Sequence, residues 1–80
     1  MTDRQSDNQN HAFLKTIKEI RKDAGMTQSD LAQALNKPQS YVSKYESGER
    51  RLDFLEVCNI CEKCNVSILD FCESYLSHDS

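Results

Sequence analysis

The sequence predicts an all-α domain, a compact bundle of five short helices, and three observations lead to this fold class. Apolar residues recur at three- and four-residue spacing along most of the chain. Turn formers are scarce, because 80 residues contain only 2 Gly and 1 Pro, too few for a β-sandwich or a barrel. Polar capping residues separate the apolar stretches. A chain of this length forms one domain.

The first helix is predicted to begin at His11 and to end at Gly25, where a left-handed cap is expected. Residues 1–10 are polar and lack apolar periodicity, which is typical of a mobile tail. The apolar stripe of this first helix consists of Phe13, Leu14, Ile17, Ile20 and Ala24.

A capping-box variant opens the second helix, since Thr27 is followed three residues later by Asp30. The helix is expected to end near Asn36, a residue that tolerates the left-handed conformation. Its buried face should carry Leu31, Ala32 and Leu35.

The third helix follows after a very short connection and is predicted over Gln39–Ser47. Pro38 suits its opening and Gly48 its end. Pro38 has no side-chain oxygen, so a side-chain cap for this helix would have to come from elsewhere. The inner side should carry Val42, Tyr45 and Glu46, and the outer side Gln39, Ser40, Ser43 and Lys44.

The remaining two helices are predicted from about Asp53 and from a second capping-box variant formed by Ser67 and Asp70. The domain should extend over residues 11–76, followed by a short C-terminal tail over 77–80. The fourth helix should point Phe54, Val57, Cys58, Ile60, Cys61 and Cys64 mostly inward, and the fifth should carry Ile68, Leu69, Phe71, Cys72, Tyr75 and Leu76.

Charge is unevenly distributed along the chain, although the net charge is only −3. Residues 1–51 contain nine Lys and Arg against seven Asp and Glu, which gives +2. Residues 52–80 contain one Lys against six acids, which gives −5. This asymmetry is compatible with a surface that faces nucleic acid and an acidic surface behind it.

Two helices joined by a tight turn, the second of them polar on its outer face, define a helix-turn-helix. The stretch MTQSDLAQALNKPQSYVSKYESGER resembles the lambda-repressor-like (Cro/repressor, or XRE-type) helix-turn-helix family, and the resemblance extends from about Phe13 to Leu76. It implies a DNA-binding transcriptional regulator. Three features depart from the family pattern: Asn36 where Gly is usual, Pro38 where Ser or Thr is usual, and a cysteine-rich fourth helix.

The resemblance implies which residues contact double-stranded DNA. Base contacts are expected from Gln39, Ser40 and Lys44, with Ser43 beside them at a base or the backbone. Gln and Lys suit this role, because they hydrogen-bond adenine and guanine edges in the major groove. The resemblance also implies that Gln28 touches a phosphate and braces Gln39. The expected DNA-backbone contacts are Gln28, Thr27, Lys37, Tyr41, Arg50 and Arg51.

Arg21 and Glu46 fall on the inward sides of their helices, where a lone charge is rarely tolerated. The family pairs these two positions as a partly buried ion pair that links helix one to helix three. We therefore expect Arg21 and Glu46 to hold the third helix in place.

The four cysteines resemble an iron–sulfur motif only at its start, because the last interval and the missing Pro do not fit. Three of them fall within one predicted helix, so burial as small apolar residues is favoured over a metal or redox site. No metal or other cofactor is expected. His11 and His78 should be solvated.

The sequence favours a DNA-binding regulator, and it offers no phosphate loop or nucleophile–histidine arrangement that would indicate an enzyme. Two alternatives stay open: a restriction–modification controller or antitoxin-type regulator, and a cysteine-based sensor that binds DNA. We expect a cytoplasmic homodimer on a palindromic operator, with an interface through Phe71, Tyr75 and Leu76. Neither a membrane partner nor a small-molecule ligand is indicated.

Overall fold

The computed structural model describes the backbone of residues 3–79 and the side chains of residues 10–77. Within that range the chain folds into helices and contains no strand, which confirms the all-α prediction. The helices are α1 (Asp3–Asp23), α2 (Gln28–Leu35), α3 (Gln39–Ser47), α4 (Phe54–Lys63) and α5 (Ile68–Asp79).

The two ends of the chain differ from the prediction. Helix α1 begins at Asp3, so the predicted start at His11 is wrong, and residues 3–10 are helical instead of forming an irregular tail. Helix α5 likewise continues to Asp79, beyond the predicted end of the domain at residue 76. Apolar periodicity reports only a buried face, whereas a nucleated helix extends through polar residues at little cost. The predicted exposure of His78 lies outside the described side chains.

Capping residues set the helix boundaries as the sequence predicts. Thr27 Oγ1 accepts a hydrogen bond from the Asp30 backbone N at 3.0 Å, and the Asp30 carboxylate accepts one from the Thr27 backbone N at 3.0 Å. The Asp70 backbone N donates to Ser67 Oγ at 3.0 Å. Asn36 has φ 60° and ψ 43°, the left-handed conformation that lets it replace glycine at the end of α2.

The hydrophobic core lies where α1 packs against α3 and α5, and where α2 packs against α3 and α4. Cys61 and Cys64 belong to this core, so the prediction that these two are packing residues is confirmed. The fully buried side chains with the largest volumes are Tyr45, Ile17, Leu31, Ile60, Val42, Thr16 and Cys61.

Several apolar residues are exposed. Phe54 is 67% exposed, although it was predicted to point inward, and Leu69 and Leu76 of the fifth helix are 73% and 60% exposed. Ala24 and Cys72 also lie at the surface, so the packing role predicted for the cysteines is wrong for Cys72. These helices are apolar around much of their circumference, while a domain this small covers only one side of each helix.

Phe71 differs in the opposite sense, because it is buried and makes an edge contact with Phe13, with ring centroids 5.9 Å apart. Its predicted place in a dimer interface is therefore wrong. Phe71 closes the core of its own protomer, where it joins α5 to α1.

Candidate nucleic-acid interface

The connection between α2 and α3 is a three-residue turn over residues 36–38. The backbone N of Lys37 donates to the Ala32 carbonyl at 2.9 Å, which closes the end of α2. Pro38 occupies the cap position of α3 with no side-chain hydrogen bond, and no side chain within residues 10–77 provides the expected substitute cap. Proline has no backbone N–H and leaves one fewer donor to satisfy at this end. The result is a compact helix-turn-helix.

Helix α3 presents two different faces. Val42 and Tyr45 are fully buried, and Glu46 lies on the same side, as predicted. At about 100° per residue, the exposed side chains fall within a single outer arc of roughly 140°. Among the described residues, the side chains of this outer face that make no hydrogen bond are Gln39, Ser40, Ser43 and Lys44. Their donors and acceptors are therefore available to a ligand.

Behind this face, Glu46 accepts three hydrogen bonds. Arg21 donates two of them, from Nε to Oε2 at 2.7 Å and from Nη2 to Oε1 at 3.1 Å. The same guanidinium donates to the Met26 carbonyl at 2.8 Å, and it is almost completely buried. Hydrogen bonding to Glu46 raises the pKa of Arg21 above its ordinary value, against the opposing effect of burial. The predicted contact between Arg21 and Glu46 is present, and it joins α1 to α3.

Gln28 is the third donor to Glu46, from Nε2 to Oε1 at 3.1 Å. The resemblance implies that Gln28 braces Gln39, but in this structure its side chain is bonded to Glu46 instead. The geometry explains the difference, because Glu46 lies on the inner side of α3 and Gln39 lies on the outer side. Gln28 therefore links the start of α2 to the ion pair.

A second group of polar side chains surrounds Tyr41, at the other flank of α3. The Tyr41 hydroxyl donates to Glu56 Oε2 at 3.2 Å, and its ring packs edge-on against Tyr45. Arg50 Cζ lies 4.8 Å from the ring centroid and Lys37 Nζ lies 5.4 Å from it. Two cations thus lie within cation–π distance of the Tyr41 ring, and burial raises the pKa of its hydroxyl.

Arg50 is paired with an acid that the sequence analysis missed. Its Nη2 lies 3.0 Å from Glu56 Oε2, and the pair is partly exposed. Hydrogen bonding to Arg50 lowers the pKa of Glu56. The only available signal was the capping box that Asp53 and Glu56 form at the start of α4, and it does not indicate Arg50. The loop between α3 and α4 brings Arg50 close to Asp53 and Glu56.

The remaining DNA-backbone residues lie at the surface. Thr27 is exposed, and its hydroxyl oxygen caps α2 as an acceptor, which leaves the hydroxyl hydrogen able to donate. Lys37 and Arg51 are exposed on the two loops that flank α3. Of the residues predicted to contact DNA, Gln28 and Tyr41 are half-buried and the others are exposed.

The cysteines show no arrangement for a metal ion. Within the described residues, no group of three or more His, Cys, Asp or Glu side chains is placed to coordinate one. Burial raises the pKa of the Cys61 thiol to about 11, with a further contribution from the neighbouring cysteines. His11 is exposed, as predicted. Of the helices described, none is both long and apolar enough to cross a membrane.

Comparisons with known proteins agree with this architecture. The family model described as helix-turn-helix matches residues 17–71. The solved structure of an XRE-family like protein from Pseudomonas syringae pv. tomato str. DC3000 is 34% identical and superposes with a TM-score of 0.85, covering 95% of this chain and 93% of that one. No match was found among curated protein sequences.

A second solved structure shares the fold at lower identity. It is the clp gene regulator ClgR from C. glutamicum, which is 21% identical and has a TM-score of 0.77, with 90% of this chain and 92% of that chain covered. The family match extends over more than half of the chain, from the end of α1 through the buried Phe71 of α5. The protein therefore belongs to the XRE-type, lambda-repressor-like helix-turn-helix family of DNA-binding transcriptional regulators.

Proposed function

We propose that this protein is a sequence-specific DNA-binding repressor or autoregulator that inserts α3 into the major groove of a palindromic operator. The outer face of α3 is the observation that carries the proposal. Four of its polar side chains, those of Gln39, Ser40, Ser43 and Lys44, are exposed and have no hydrogen-bond partner among the described residues. The major groove is wide enough for a helix, and it presents base-edge donors and acceptors that such side chains match.

The base contacts are assigned to Gln39, Ser40 and Lys44, with Ser43 beside them. Gln39 lies in the first turn of α3 and can bond adenine N6 and N7 together, while Lys44 can reach guanine. Phosphate contacts are assigned to the flanking residues, which have the chemistry to neutralise or hydrogen-bond a backbone oxygen. These flanking residues are Gln28, Thr27, Lys37, Tyr41, Arg50 and Arg51.

The test begins with selection of tight-binding duplexes from a random pool, followed by isotherms on the selected and on random duplexes. Gln39→Ala should lower affinity for the selected duplex by about 1–3 kcal/mol and relax base preference at one position. Gln33→Ala is the matched control, because Gln33 is exposed on α2, outside the outer face of α3. Equal weakening of selected and random duplexes by Gln39→Ala would contradict a base contact.

Phosphate contacts have a different signature, because they weaken all sequences alike. Arg51→Ala should lower affinity on both duplexes and reduce the slope of log affinity against log salt by about 0.9. Lys63→Ala removes the same charge from the C-terminal end of α4 and serves as the control. A slope that Arg51→Ala leaves unchanged would remove Arg51 from the interface.

We assign the dimer interface to α5 and α4, with Leu69, Tyr75 and Leu76 in place of the buried Phe71. Leu69 and Leu76 are exposed and lie two turns apart on one face of α5, and Phe54 of α4 is exposed as well. A second copy would cover this apolar surface and would place two recognition helices about 34 Å apart. Sedimentation with the selected duplex should show two protomers per duplex. Leu76→Gln should weaken that assembly more than Ser74→Gln, which changes an exposed residue on the opposite side of α5. A complex with one protomer would contradict the dimer.

In the cytoplasm, the protein would act as a phage-type repressor, as a restriction–modification controller or as an antitoxin-type regulator. The identity of the neighbouring genes would distinguish these three roles.

A cysteine-based sensor is a second candidate, because Cys72 is exposed and Cys58 is partly exposed. If the protein is such a sensor, peroxide should change the DNA affinity of the wild type and leave the DNA affinity of Cys72→Ser unchanged. Equal effects on both proteins would remove this candidate.

A further inference from the structure

The carboxylate of Glu56 makes contacts in three directions. Its Oε1 accepts a hydrogen bond from the Asp53 backbone N at 2.9 Å, which completes the capping box of α4. Its Oε2 accepts one from the Tyr41 hydroxyl at 3.2 Å. Both oxygens face Arg50, at 3.3 Å from Nη1 and 3.0 Å from Nη2. One side chain therefore joins α4, α3 and the loop between them.

These contacts restrain Arg50 without using all of its donors. Nη1 also donates to the Arg51 carbonyl at 3.0 Å, and the guanidinium lies over the Tyr41 ring. A guanidinium has five N–H donors. Within the described residues, Nε–H and the second Nη2 hydrogen have no partner. Arg50 is thus held in position and still able to bond a phosphate.

The restraint connects to the recognition helix through Tyr41. The Tyr41 ring packs edge-on against Tyr45 with centroids 5.5 Å apart, and Tyr45 is fully buried. The position of the Arg50 charge is therefore set relative to α3 and the core, although Arg50 itself lies on an exposed loop.

We infer that Glu56 is a specificity-determining positioning residue, which restrains Arg50 so that its charge favours the correctly docked operator over random DNA. This inference rests on the proposed function. Random DNA is bound mainly through mobile cations that reach phosphates in any register. A restrained guanidinium, partly neutralised by a carboxylate, contributes less to such binding. When α3 is docked in the major groove of the operator, the two unpaired N–H donors of Arg50 can bond a DNA phosphate. Little side-chain entropy is then lost, because Arg50 is already restrained.

The test compares Glu56→Gln with Glu49→Gln on selected and random duplexes over a range of salt concentrations. Glu49 is the matched control, because it is an exposed acid in the loop that carries Arg50, and its side chain contacts Ser47 rather than Arg50. Glu56→Gln should tighten binding to random DNA about threefold at low salt and steepen its salt slope by up to about 0.9, as one mobile cation is added. The ratio of selected to random affinity should fall in Glu56→Gln and stay nearer the wild-type value in Glu49→Gln.

The outcomes separate this inference from the proposed function. A wild type that does not discriminate between selected and random duplexes overturns the proposed function itself. A wild type that discriminates, with equal effects of Glu56→Gln and Glu49→Gln on ratio and slope, overturns only the role of Glu56. If Glu56→Gln lowers the affinity for both duplexes equally and leaves the salt slope unchanged, Glu56 only caps α4, and the inference is also overturned.

A measurement on the free wild type covers the case in which Glu56→Gln does not fold. Proton–nitrogen NMR of arginine side chains reports rotation of the guanidinium group. The Arg50 Nη protons should exchange places slowly, as expected for a held guanidinium, whereas those of Arg51 should exchange fast. Equally fast rotation in both residues would show that Glu56 does not restrain Arg50.

Discussion

Two ion pairs flank the recognition helix, and they differ in how far water reaches them. The side chains of Arg21 and Glu46 are 8% and 3% exposed, whereas those of Arg50 and Glu56 are 43% and 24% exposed. Arg21 of α1 is bonded to Glu46 of α3, and Arg50 of the following loop is bonded to Glu56 of α4. Solvent decides what each pair contributes, because the attraction is screened at the surface and the loss of one partner is severe inside. The buried pair therefore supports the fold, and the exposed pair is free to act on DNA binding.

The largest effect should come from removing one partner of the buried pair. Arg21→Ala or Glu46→Ala should each lower the free energy of unfolding by about 3–5 kcal/mol, because the remaining charge is buried without a partner. A domain with about 5 kcal/mol of stability would then be close to unfolding. Denaturant unfolding measures the change, and a double-mutant cycle gives the coupling between the residues.

The apolar double variant Arg21→Met/Glu46→Leu is the control for this effect. It should cost much less than either single change, because no charge is left unpaired. Small and additive losses in the single variants would mean that the buried pair contributes no more than an exposed one.

A smaller loss is expected from Gln28→Ala, which removes the third hydrogen bond to Glu46. Hydrogen bonds to charged groups contribute about 1.5 kcal/mol or somewhat more, and this one is partly buried. Gln33→Ala makes the same chemical change at an exposed position of α2 and should leave the unfolding midpoint nearly unchanged. If the two variants unfold alike, Gln28 is not part of the buried network.

The buried side should also contain one group whose removal is stabilising. Tyr45 is fully buried, and its hydroxyl has no hydrogen-bond partner among the described residues. Tyr45→Phe should raise the free energy of unfolding by about 1 kcal/mol, because the uncompensated desolvation of that hydroxyl is removed. Tyr41→Phe should not stabilise, since its hydroxyl is bonded to Glu56. Thermal unfolding of both variants makes the comparison, and a destabilised Tyr45→Phe would indicate a hidden partner.

The smallest effect on stability should come from the exposed pair. Arg50→Met should shift the unfolding midpoint little at neutral pH, because solvent screens its attraction to Glu56. Arg50 depresses the pKa of Glu56, so this contribution is present above the ordinary glutamate pKa and is lost as pH falls through the depressed value. Acidification should therefore destabilise the wild type slightly more than Arg50→Met. An equal loss in both proteins would mean that the pair does not form in solution.

The local structure of this protein was predictable from sequence because short-range rules determine it. The capping pair Thr27 and Asp30, the left-handed Asn36 and the extent of α3 follow from residues close together in the chain. Spacing along α3 was also sufficient to separate its polar outer face from its buried inner face. The inward placement of Arg21 and Glu46 followed from periodicity, although their pairing came from the family resemblance.

Only the tertiary structure decided which of the remaining apolar and charged residues meet. Phe71 and Leu76 are both apolar residues of α5, and the sequence does not distinguish them. In the structure, Phe71 packs against Phe13 and is buried, whereas Leu76 is exposed. The pairing of Arg50 with Glu56 across a loop, and of Gln28 with Glu46 between helices, has no local signature in the sequence. Local rules act over one or two helical turns, whereas these contacts depend on how helices pack after they have formed.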